Sequence, residues 1–304
     1  MAIKLEEVHC IASDLNKHLA FTDLCLYKQR YWLTYREASS HHHRDGLLVV
    51  LNSHDGCDWQ LHARLHAASG ELRDPKFTVT PQGCLWINCA RINEQGLRSL
   101  VYELKDGHWS ELAEIGEPGV WLWRTAWYNE FGLSFGYRRP DTLQLYKVQS
   151  DQAEYRLWSA KPLGQLSSRY GYPNETGIAF DSHGRAFCLL RRDADNGHAL
   201  LGISFPPYQN WKWTELDQAI GGPILSCTSD DRLLAVVRLY EPARTSVCWI
   251  GSKGGQLTEV LTLPSGGDTS YAGMVWQTSD RALVSYYSSH QQCCAIYLAT
   301  LCFS

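Results

Sequence analysis

A glutamate and an arginine lie sixteen residues apart in the segment 173–192, where Glu175 precedes and Arg191 follows a short polar turn. Apolar residues alternate before this turn and form a run after it, which predicts two antiparallel strands. Such a hairpin returns Arg191 to the side of the sheet from which Glu175 departs. The pair is then either a structural salt bridge or a carboxylate held for proton transfer, and the spacing is compatible with both.

Polar side chains recur at the ends of the other predicted hairpins. These positions hold arginine, aspartate, tyrosine and histidine: Arg36, His42, Arg73, Asp74, Arg238, Arg244, Asp268, Tyr271, Tyr286, Tyr287 and His290. Several arginines that face one cavity repel one another unless their charge is compensated. Because a guanidinium group pairs well with a planar carboxylate, the recurrence favours internal carboxylate partners or a small anionic ligand.

Short strands must position these residues, because apolar runs rich in Val, Leu, Trp, Tyr and Phe alternate with polar turns along the chain. Six hairpin units repeat at intervals of 37 to 52 residues. Their turns are marked by Gly46, Gly83, Gly132, Gly184, Asp231 and Asp280. A further strand pair follows each marked hairpin, which predicts an all-β fold, a six-bladed β-propeller of four-stranded antiparallel blades. A two-sheet sandwich is the alternative fold.

The repeat also predicts how the ring closes. The last unit shows only three strands, so the segment around 8–12 is expected to pair as the outer strand of the blade that ends at 296–301. No Pro-, Gly- or Ser-rich linker interrupts the pattern. We therefore expect residues 1–304 to form a single propeller domain.

Composition limits the partners of the chain. It has 304 residues, 44% of them hydrophobic, with a formal net charge of −4 and a pI near 6.3. This charge gives no general attraction to nucleic acid or to an anionic membrane. No apolar run approaches the ~18 residues of a membrane span, and the first ten residues are charged where a signal peptide is apolar. A cytoplasmic location is expected.

Neither cysteine nor histidine spacing predicts a metal or a disulfide framework. The eleven cysteines are an odd number, no CxxC is present, and several lie in apolar runs, so free thiols are expected. The consecutive residues His41, His42 and His43 point to alternating faces of an extended chain and cannot all converge on one ion. We expect no metal and no cofactor.

Taken together, these segments resemble the sialidase (neuraminidase-like) superfamily of six-bladed propellers. The stretch NETGIAFDSHGRAFCLLRR is similar to the family's segment that runs from a glutamate to its second arginine, here Glu175 and Arg191. The stretch GDTSYAGMVWQTSDRALVSYYSS is similar to the segment that starts with the nucleophilic tyrosine, here Tyr271. Arg36 in YREAS and Arg244 in ARTSVCWI resemble the first and third arginines of the family triad. SHDGCDW resembles one Asp-box turn.

The resemblance implies an exo-acting glycoside hydrolase that removes a terminal sialic-acid-like or other carboxylated sugar. Glu175 would draw the proton from Tyr271, and Arg36, Arg191 and Arg244 would clamp the sugar carboxylate. A neutral tyrosine nucleophile avoids the repulsion that a carboxylate nucleophile would meet beside that group. Further binding residues are expected at Arg73, Arg238, His42, Tyr287 and His290.

The sequence departs from the family pattern at several points. Only one Asp-box is recognisable, and the usual Arg-Ile-Pro of the first arginine reads Arg36-Glu37-Ala38. The family's acid/base aspartate has no clear match, so we assign that role to Asp74 from its position in RDP.

Two other classes of function remain open. A polysaccharide lyase acting on uronates needs a base and cationic neutralisation of a carboxylate, for which His42 and His290 are the candidates. A non-catalytic glycan-binding propeller would use its 12 Trp and 16 Tyr to stack on sugars. The expected partner in each case is a carbohydrate, and the cytoplasmic location favours a small glycoside or oligosaccharide with an anionic sugar.

Overall fold

The structure is a computed structural model that describes residues 2–151, 153–164, 171–251 and 255–304. Within these ranges the chain forms twenty-four strands, arranged as six four-stranded antiparallel sheets. The first strands of neighbouring sheets contact one another, so the sheets surround a common axis. The predicted six-bladed β-propeller is confirmed, and the sandwich alternative is wrong.

The strands are numbered in chain order, and β1 (Ile3–Ala12) belongs to the last blade. The first blade contains β2 (His18–Tyr27), β3 (Arg30–Ala38), β4 (Leu47–Ser53) and β5 (Gln60–Leu65). The second contains β6 (Glu71–Val79), β7 (Leu85–Asn93), β8 (Gly96–Lys105) and β9 (His108–Ile115). The third contains β10 (Trp121–Tyr128), β11 (Phe131–Arg138), β12 (Thr142–Gln149) and β13 (Glu154–Ser159).

The remaining blades follow the same plan. The fourth contains β14 (Pro173–Phe180), β15 (Ala186–Arg192), β16 (His198–Ser204) and β17 (Lys212–Ala219). The fifth contains β18 (Gly221–Cys227), β19 (Leu233–Tyr240), β20 (Ala243–Ile250) and β21 (Leu257–Thr262). The sixth contains β22 (Thr269–Thr278), β23 (Arg281–Ser288), β24 (Ala295–Phe303) and, as its outer strand, β1.

The ring closes as the sequence predicts. β1 pairs antiparallel with β24, with Val8 opposite Ala299 and Ala12 opposite Ile296. Two turn markers need correction: Gly46 lies between the second and third strands of its blade, and Gly132 is the second residue of β11, whereas the other four markers lie at the turn between the first and second strands. The equivalent turn of the first blade is Lys28-Gln29, where both residues have positive φ angles.

The innermost strand of every blade carries the same irregularity. Two residues of each first strand stand opposite a single residue of the second, which is a β-bulge. The bulged pairs are Phe21-Thr22, Asp74-Pro75, Trp123-Arg124, Asn174-Glu175, Gly222-Pro223 and Tyr271-Ala272. Because a bulge redirects its side chains, these six pairs present residues around the axis that a regular strand would direct elsewhere.

Apolar side chains fill the spaces between blades. Leu189 and Leu201 of the fourth blade pack in one cluster with Ala235 and Val237 of the fifth. All eleven cysteines are free, as expected, and Cys89, Cys188 and Cys248 are buried. No helix among the described residues is long and apolar enough to cross a membrane.

The contact between the sixth and first blades generates a prediction about stability. A Cβ at Gly273 would lie 2.6 Å from the Asp23 carbonyl carbon and nearer still to the Leu24 nitrogen, which are backbone atoms that cannot turn aside. We expect Gly273→Ala to lower the free energy of unfolding by at least about 1–3 kcal/mol, as overpacking does. Gly251→Ala is the matched control, since its Cβ would meet nothing closer than 3.8 Å. Urea denaturation measures both, and equal stabilities would contradict this account of ring closure.

Candidate active site

A cavity of about 400 Å³ opens at the end of the propeller where the bulges lie. Four of the six bulges contribute to its wall, through Phe21, Asp74, Glu175 and Tyr271. The other lining residues come from loops and strand ends: His41, His42, Arg73, Leu97, Gly119, Trp121, Tyr137, Arg138 and Arg139. The three predicted catalytic residues therefore share one cavity, although they lie in the second, fourth and sixth blades.

Glu175 and Tyr271 are in direct contact. The Tyr271 hydroxyl donates a hydrogen bond of 2.7 Å to Glu175 Oε1, so the predicted contact between these residues is present. Arg191 Nη1 lies 3.0–3.1 Å from both Glu175 oxygens and 3.0 Å from the Tyr271 hydroxyl oxygen. Arg191 occupies the position opposite the Asn174-Glu175 bulge, which explains how the hairpin brings it to Glu175.

Tyr271 is held in an unusual environment for a phenol. It is buried, has a φ of 48°, and packs edge-on against Phe21 with ring centroids 5.0 Å apart. Burial, followed by the nearby Glu175 charge, raises the pKa of Tyr271 well above its ordinary value. The guanidinium groups of Arg191 and Arg238 oppose that shift, and Arg238 lies 5.4 Å above the ring. The resting phenol is neutral and donates its proton toward Glu175.

Asp74 is a buried carboxyl group with an incomplete set of partners. Its side chain is in the bulge of β6 at a φ of 50°, and Oδ1 has no hydrogen-bond partner among the described residues. Burial raises the pKa of Asp74 to about 6, against the attraction of Lys76 and Arg73. A carboxyl group with a pKa near neutrality can both give and accept a proton, as an acid/base residue must.

Lys76 is a buried cation beneath the cavity, close to Asp74. It is buried, donates to the Thr22 carbonyl at 2.9 Å, and lies 5.1 Å above the Trp123 ring. Burial, and then the charge of Arg124, lowers the pKa of Lys76 to about 8. Its charge favours the ionised form of the nearby Asp74 carboxyl and so opposes the rise in the pKa of Asp74, although Lys76 itself does not line the cavity.

Arg36 and Arg73 share a carboxylate. Arg36 is fully buried and donates to Glu71 Oε2 at 2.7 Å and to the His43 carbonyl at 2.6 Å. Arg73 donates to Glu71 Oε1 at 3.0 Å and lines the cavity. Arg36 thus supports the loop that carries the histidine run, and only Arg73 of this pair reaches the cavity wall.

Arg238 and Tyr287 meet at Asp268. Arg238 donates to Asp268 Oδ1 at 2.9 Å and to the Tyr287 hydroxyl at 2.8 Å, and it also donates to the Thr269 carbonyl. The Tyr287 hydroxyl donates to the same Asp268 oxygen at 2.7 Å. Both predicted binding residues therefore lie next to Tyr271 but face an internal carboxylate.

The other oxygen of Asp268 faces two histidines. His18 Nε2 lies 3.0 Å and His41 Nδ1 2.6 Å from Asp268 Oδ2. Burial opposes ionisation here, but the hydrogen bonds from His18 and His41 lower the pKa of Asp268 far below its ordinary value. These three side chains are the donor set of this region that could hold a metal ion.

Two predicted binding residues lie outside the cavity. Arg244 is on β20, the third strand of its blade, and forms a two-point ion pair with Glu259 on the outer strand β21, at 2.9 and 2.7 Å. Arg244, predicted as the third arginine, does not line the cavity, and Arg238 on β19 is the arginine of this blade that lies over the Tyr271 ring. His290 is exposed, bonds Ser288, packs on Tyr297 and is not among the residues that line the cavity.

Sequence reasoning missed several residues of the cavity wall. Trp121 and Tyr137 stack with ring centroids 6.0 Å apart, and Arg138 and Arg139 follow at the end of β11. The predicted binding residue His42 lines the cavity, and so does its neighbour His41, to which the sequence analysis assigns no role. The WLWR and GYRR segments carried the relevant residue types, but nothing in the repeat pattern distinguished them from other strand ends.

Comparison with known proteins supports the fold. The sequence matches no protein-family model, and no curated protein sequence is similar to it. A Dyadobacter fermentans protein of unknown function shares 15% identity over 100% of both chains, with a TM-score of 0.86. An alpha-L-arabinanase of Penicillium chrysogenum, solved with arabinobiose, shares 11% identity over 98% of both chains, with a TM-score of 0.73. Trypanosoma rangeli sialidase shares 8% identity over 93% of this chain and 55% of its own, with a TM-score of 0.66. At these identities the likeness shows a common six-bladed propeller.

The environment of Asp74 generates a prediction about pH and stability. Burial raises the pKa of Asp74 from its unfolded value to about 6. The protonated carboxyl is compatible with burial, so the contribution of Asp74 to the stability of the folded protein is greatest at low pH and falls as Asp74 ionises with the pH rising through 6. We expect Asp74→Asn to leave stability nearly unchanged at pH 4 and to increase it at pH 8, by at most about 3 kcal/mol. Denaturant titrations at both pH values measure this. The exposed control Asp58→Asn should show no such gain, and a pH-independent effect of Asp74→Asn would contradict the burial argument.

Proposed function

We propose that the protein is a retaining glycoside hydrolase in which Tyr271 is the nucleophile, Glu175 its base and Asp74 the acid/base residue. The observation that carries the proposal is the 2.7 Å hydrogen bond from the Tyr271 hydroxyl to Glu175 in the wall of a sugar-sized cavity. The fold shared with an arabinanase and a sialidase supports the reaction class.

The first step forms a bond between the Tyr271 oxygen and the anomeric carbon of the sugar. Glu175 takes the phenol proton as that bond forms, and the bond from the anomeric carbon to the leaving oxygen breaks. Asp74, protonated at the start, gives its proton to the leaving oxygen. The electron pair of the broken bond stays with that oxygen, so the leaving group departs as a neutral alcohol.

The second step releases the sugar. Asp74, now a carboxylate, takes a proton from water, whose oxygen attacks the anomeric carbon. The bond to the Tyr271 oxygen breaks, and the phenolate recovers its proton from Glu175. Two displacements at the same carbon give overall retention.

Arg191 stabilises the ionised form of Tyr271, the phenolate, in this cavity. The buried phenol resists ionisation, but Arg191 Nη1 lies 3.0 Å from its oxygen and Arg238 lies over its ring. A cation at hydrogen-bond distance favours the charged form of an acid. Arg191 thus both positions Glu175 and stabilises the charge that develops on Tyr271.

We propose a small glycoside with a carboxylated terminal sugar as the substrate. A tyrosine that stays neutral until attack avoids repulsion by a neighbouring carboxylate. Arg138 and Arg139 are exposed at the cavity wall, and neither forms an ion pair within the described ranges. They supply positive charge that an anionic sugar would meet, and Trp121 offers an apolar surface for the sugar ring.

A neutral sugar such as an arabinoside is the second candidate substrate. Three arginines that could clamp a sugar carboxylate already have a carboxylate partner within the protein. The pairs are Arg36 with Glu71, Arg191 with Glu175 and Arg238 with Asp268. Compensated arginines attract an anion less strongly than free ones, and one structural neighbour was solved with arabinobiose. Of the two histidines named for the lyase hypothesis, His42 lines the cavity and His290 does not.

The catalytic pair generates the first prediction of this subsection. We expect Tyr271→Phe to lower kcat by at least about 10³-fold on a competent aryl glycoside, with ligand binding retained, because only the nucleophilic oxygen is lost. Glu175→Gln should behave alike, since an amide cannot accept the phenol proton. Tyr102→Phe on β8 is the matched control and should keep full activity. Initial rates and calorimetric binding measure these effects, and an active Tyr271→Phe protein would point to the lyase or binding hypotheses.

The proposed negative charge of the substrate generates a second prediction. We expect Arg138→Gln combined with Arg139→Gln to lower kcat/KM about 10- to 100-fold for a carboxylated glycoside, as loss of charge-assisted hydrogen bonds does. The same variant should change kcat/KM little for a neutral glycoside with the same leaving group. Arg244→Gln is the control outside the cavity. A preference for neutral glycosides in the wild-type protein would favour the second candidate substrate.

A further inference from the structure

We propose that His18, His41 and Asp268 form a binding site for a divalent transition-metal ion, with zinc as the ion that suits these donors. The donor atoms are His18 Nε2, His41 Nδ1 and Asp268 Oδ2, and all three lie within 4.8 Å of one another. They come from β2, from the loop after β3 and from the loop before β22. The site thus joins the first and sixth blades, and no residue of the proposed hydrolase mechanism belongs to it.

The donor geometry is close to that of a bound ion. Both imidazole nitrogens converge on one carboxylate oxygen, at 3.0 and 2.6 Å. Bonds from zinc to nitrogen and oxygen are about 2.0–2.2 Å long, so tetrahedral donors lie roughly 3.3 Å apart. Small side-chain rotations would therefore admit an ion among the three atoms. Such an ion would replace the two hydrogen bonds that now join the imidazoles to Asp268.

The groups around Asp268 hold the carboxylate for this role. Arg238 and Tyr287 both bind Oδ1, the oxygen that the histidines do not face. Groups that orient a ligand in this way tune metal sites in proteins. His18 Nδ1 is buried without a hydrogen-bond partner in the described part of the chain, so Nε2 makes the contact that holds the ring.

The donor types restrict the ion. Two imidazoles with one carboxylate suit zinc and similar first-row ions, whereas calcium and magnesium prefer oxygen donors alone. Three protein ligands leave a fourth tetrahedral position for water or a ligand oxygen. His41 lines the cavity, so an ion at this site would lie beside the proposed active site.

Equilibrium dialysis of the full chain, without an affinity tag and after chelator treatment, tests the proposal with zinc as the probe. We expect about one zinc ion per chain by atomic emission. His18→Gln and His41→Gln should each weaken binding by more than the 10- to 100-fold that loss of a ligand-orienting group costs. His43→Gln is the matched control, because His43 belongs to the same histidine run but its ring contacts Asp45. It should bind zinc as the wild type does.

Several outcomes would overturn the proposal. One is no zinc binding by the wild type, and another is an equal loss of zinc affinity in His18→Gln, His41→Gln and His43→Gln. A third is a loss of zinc affinity in His41→Gln without a loss in His18→Gln, which would assign the ion to the histidine run. Thermal unfolding shows whether each variant is folded. If the His18→Gln variant is unfolded, zinc binding by Asp268→Asn takes its place. The cobalt(II) absorption spectrum of the wild type then decides the geometry, since a tetrahedral spectrum supports the site and an octahedral spectrum contradicts it.

Discussion

The recurring bulge in the innermost strands is the constraint on which the rest of the structure depends. A regular strand alternates its side chains between two faces, so it cannot direct consecutive residues toward the propeller axis. One extra residue in each first strand breaks that alternation at the same level in all six blades. Phe21, Asp74, Gly222 and Tyr271, each the first residue of its bulge, adopt positive φ angles there. Strained backbone of this kind persists because the neighbouring strands fix it.

The bulges also bring charges into a buried centre, where they must be paired. Asp23 accepts two hydrogen bonds from Arg124 and one from the Phe77 amide, and Arg124 also donates to the Ala272 carbonyl. These contacts link the first, second, third and sixth blades below the cavity. A buried ion without such partners would cost several kcal/mol. The same requirement explains why Arg36, Arg191 and Arg238 each have an internal carboxylate.

Two groups depart from this pairing, and both lie at the cavity or beneath it. Asp74 leaves one carboxylate oxygen without a partner among the described residues, and the Lys76 ammonium is bonded to a neutral carbonyl. Burial therefore shifts the pKa of each toward neutrality, to about 6 for Asp74 and about 8 for Lys76. A group that transfers protons needs a charge that its neighbours only partly neutralise, because its pKa then lies near neutrality. The arginines that position Glu175 and Asp268 are instead fully paired with those carboxylates.

Periodicity in the sequence determined the fold, because each blade repeats a pattern of apolar strands and polar turns that local composition reveals. It also determined the Glu175–Arg191 hairpin, whose partners are close along the chain. Tertiary structure alone decided which distant residues meet. Arg238 rather than Arg244 reaches Tyr271 because strand position within the blade, and not residue type, sets the distance to the axis. The sequence shows His41 only as one of three consecutive histidines, yet folding brings His41 alone of the three to His18 and Asp268, where the first and sixth blades meet. For Asp74, Glu175 and Tyr271 the physical reason is the bulge, since one extra residue in a strand leaves no signal in hydrophobic periodicity but decides where the side chain points.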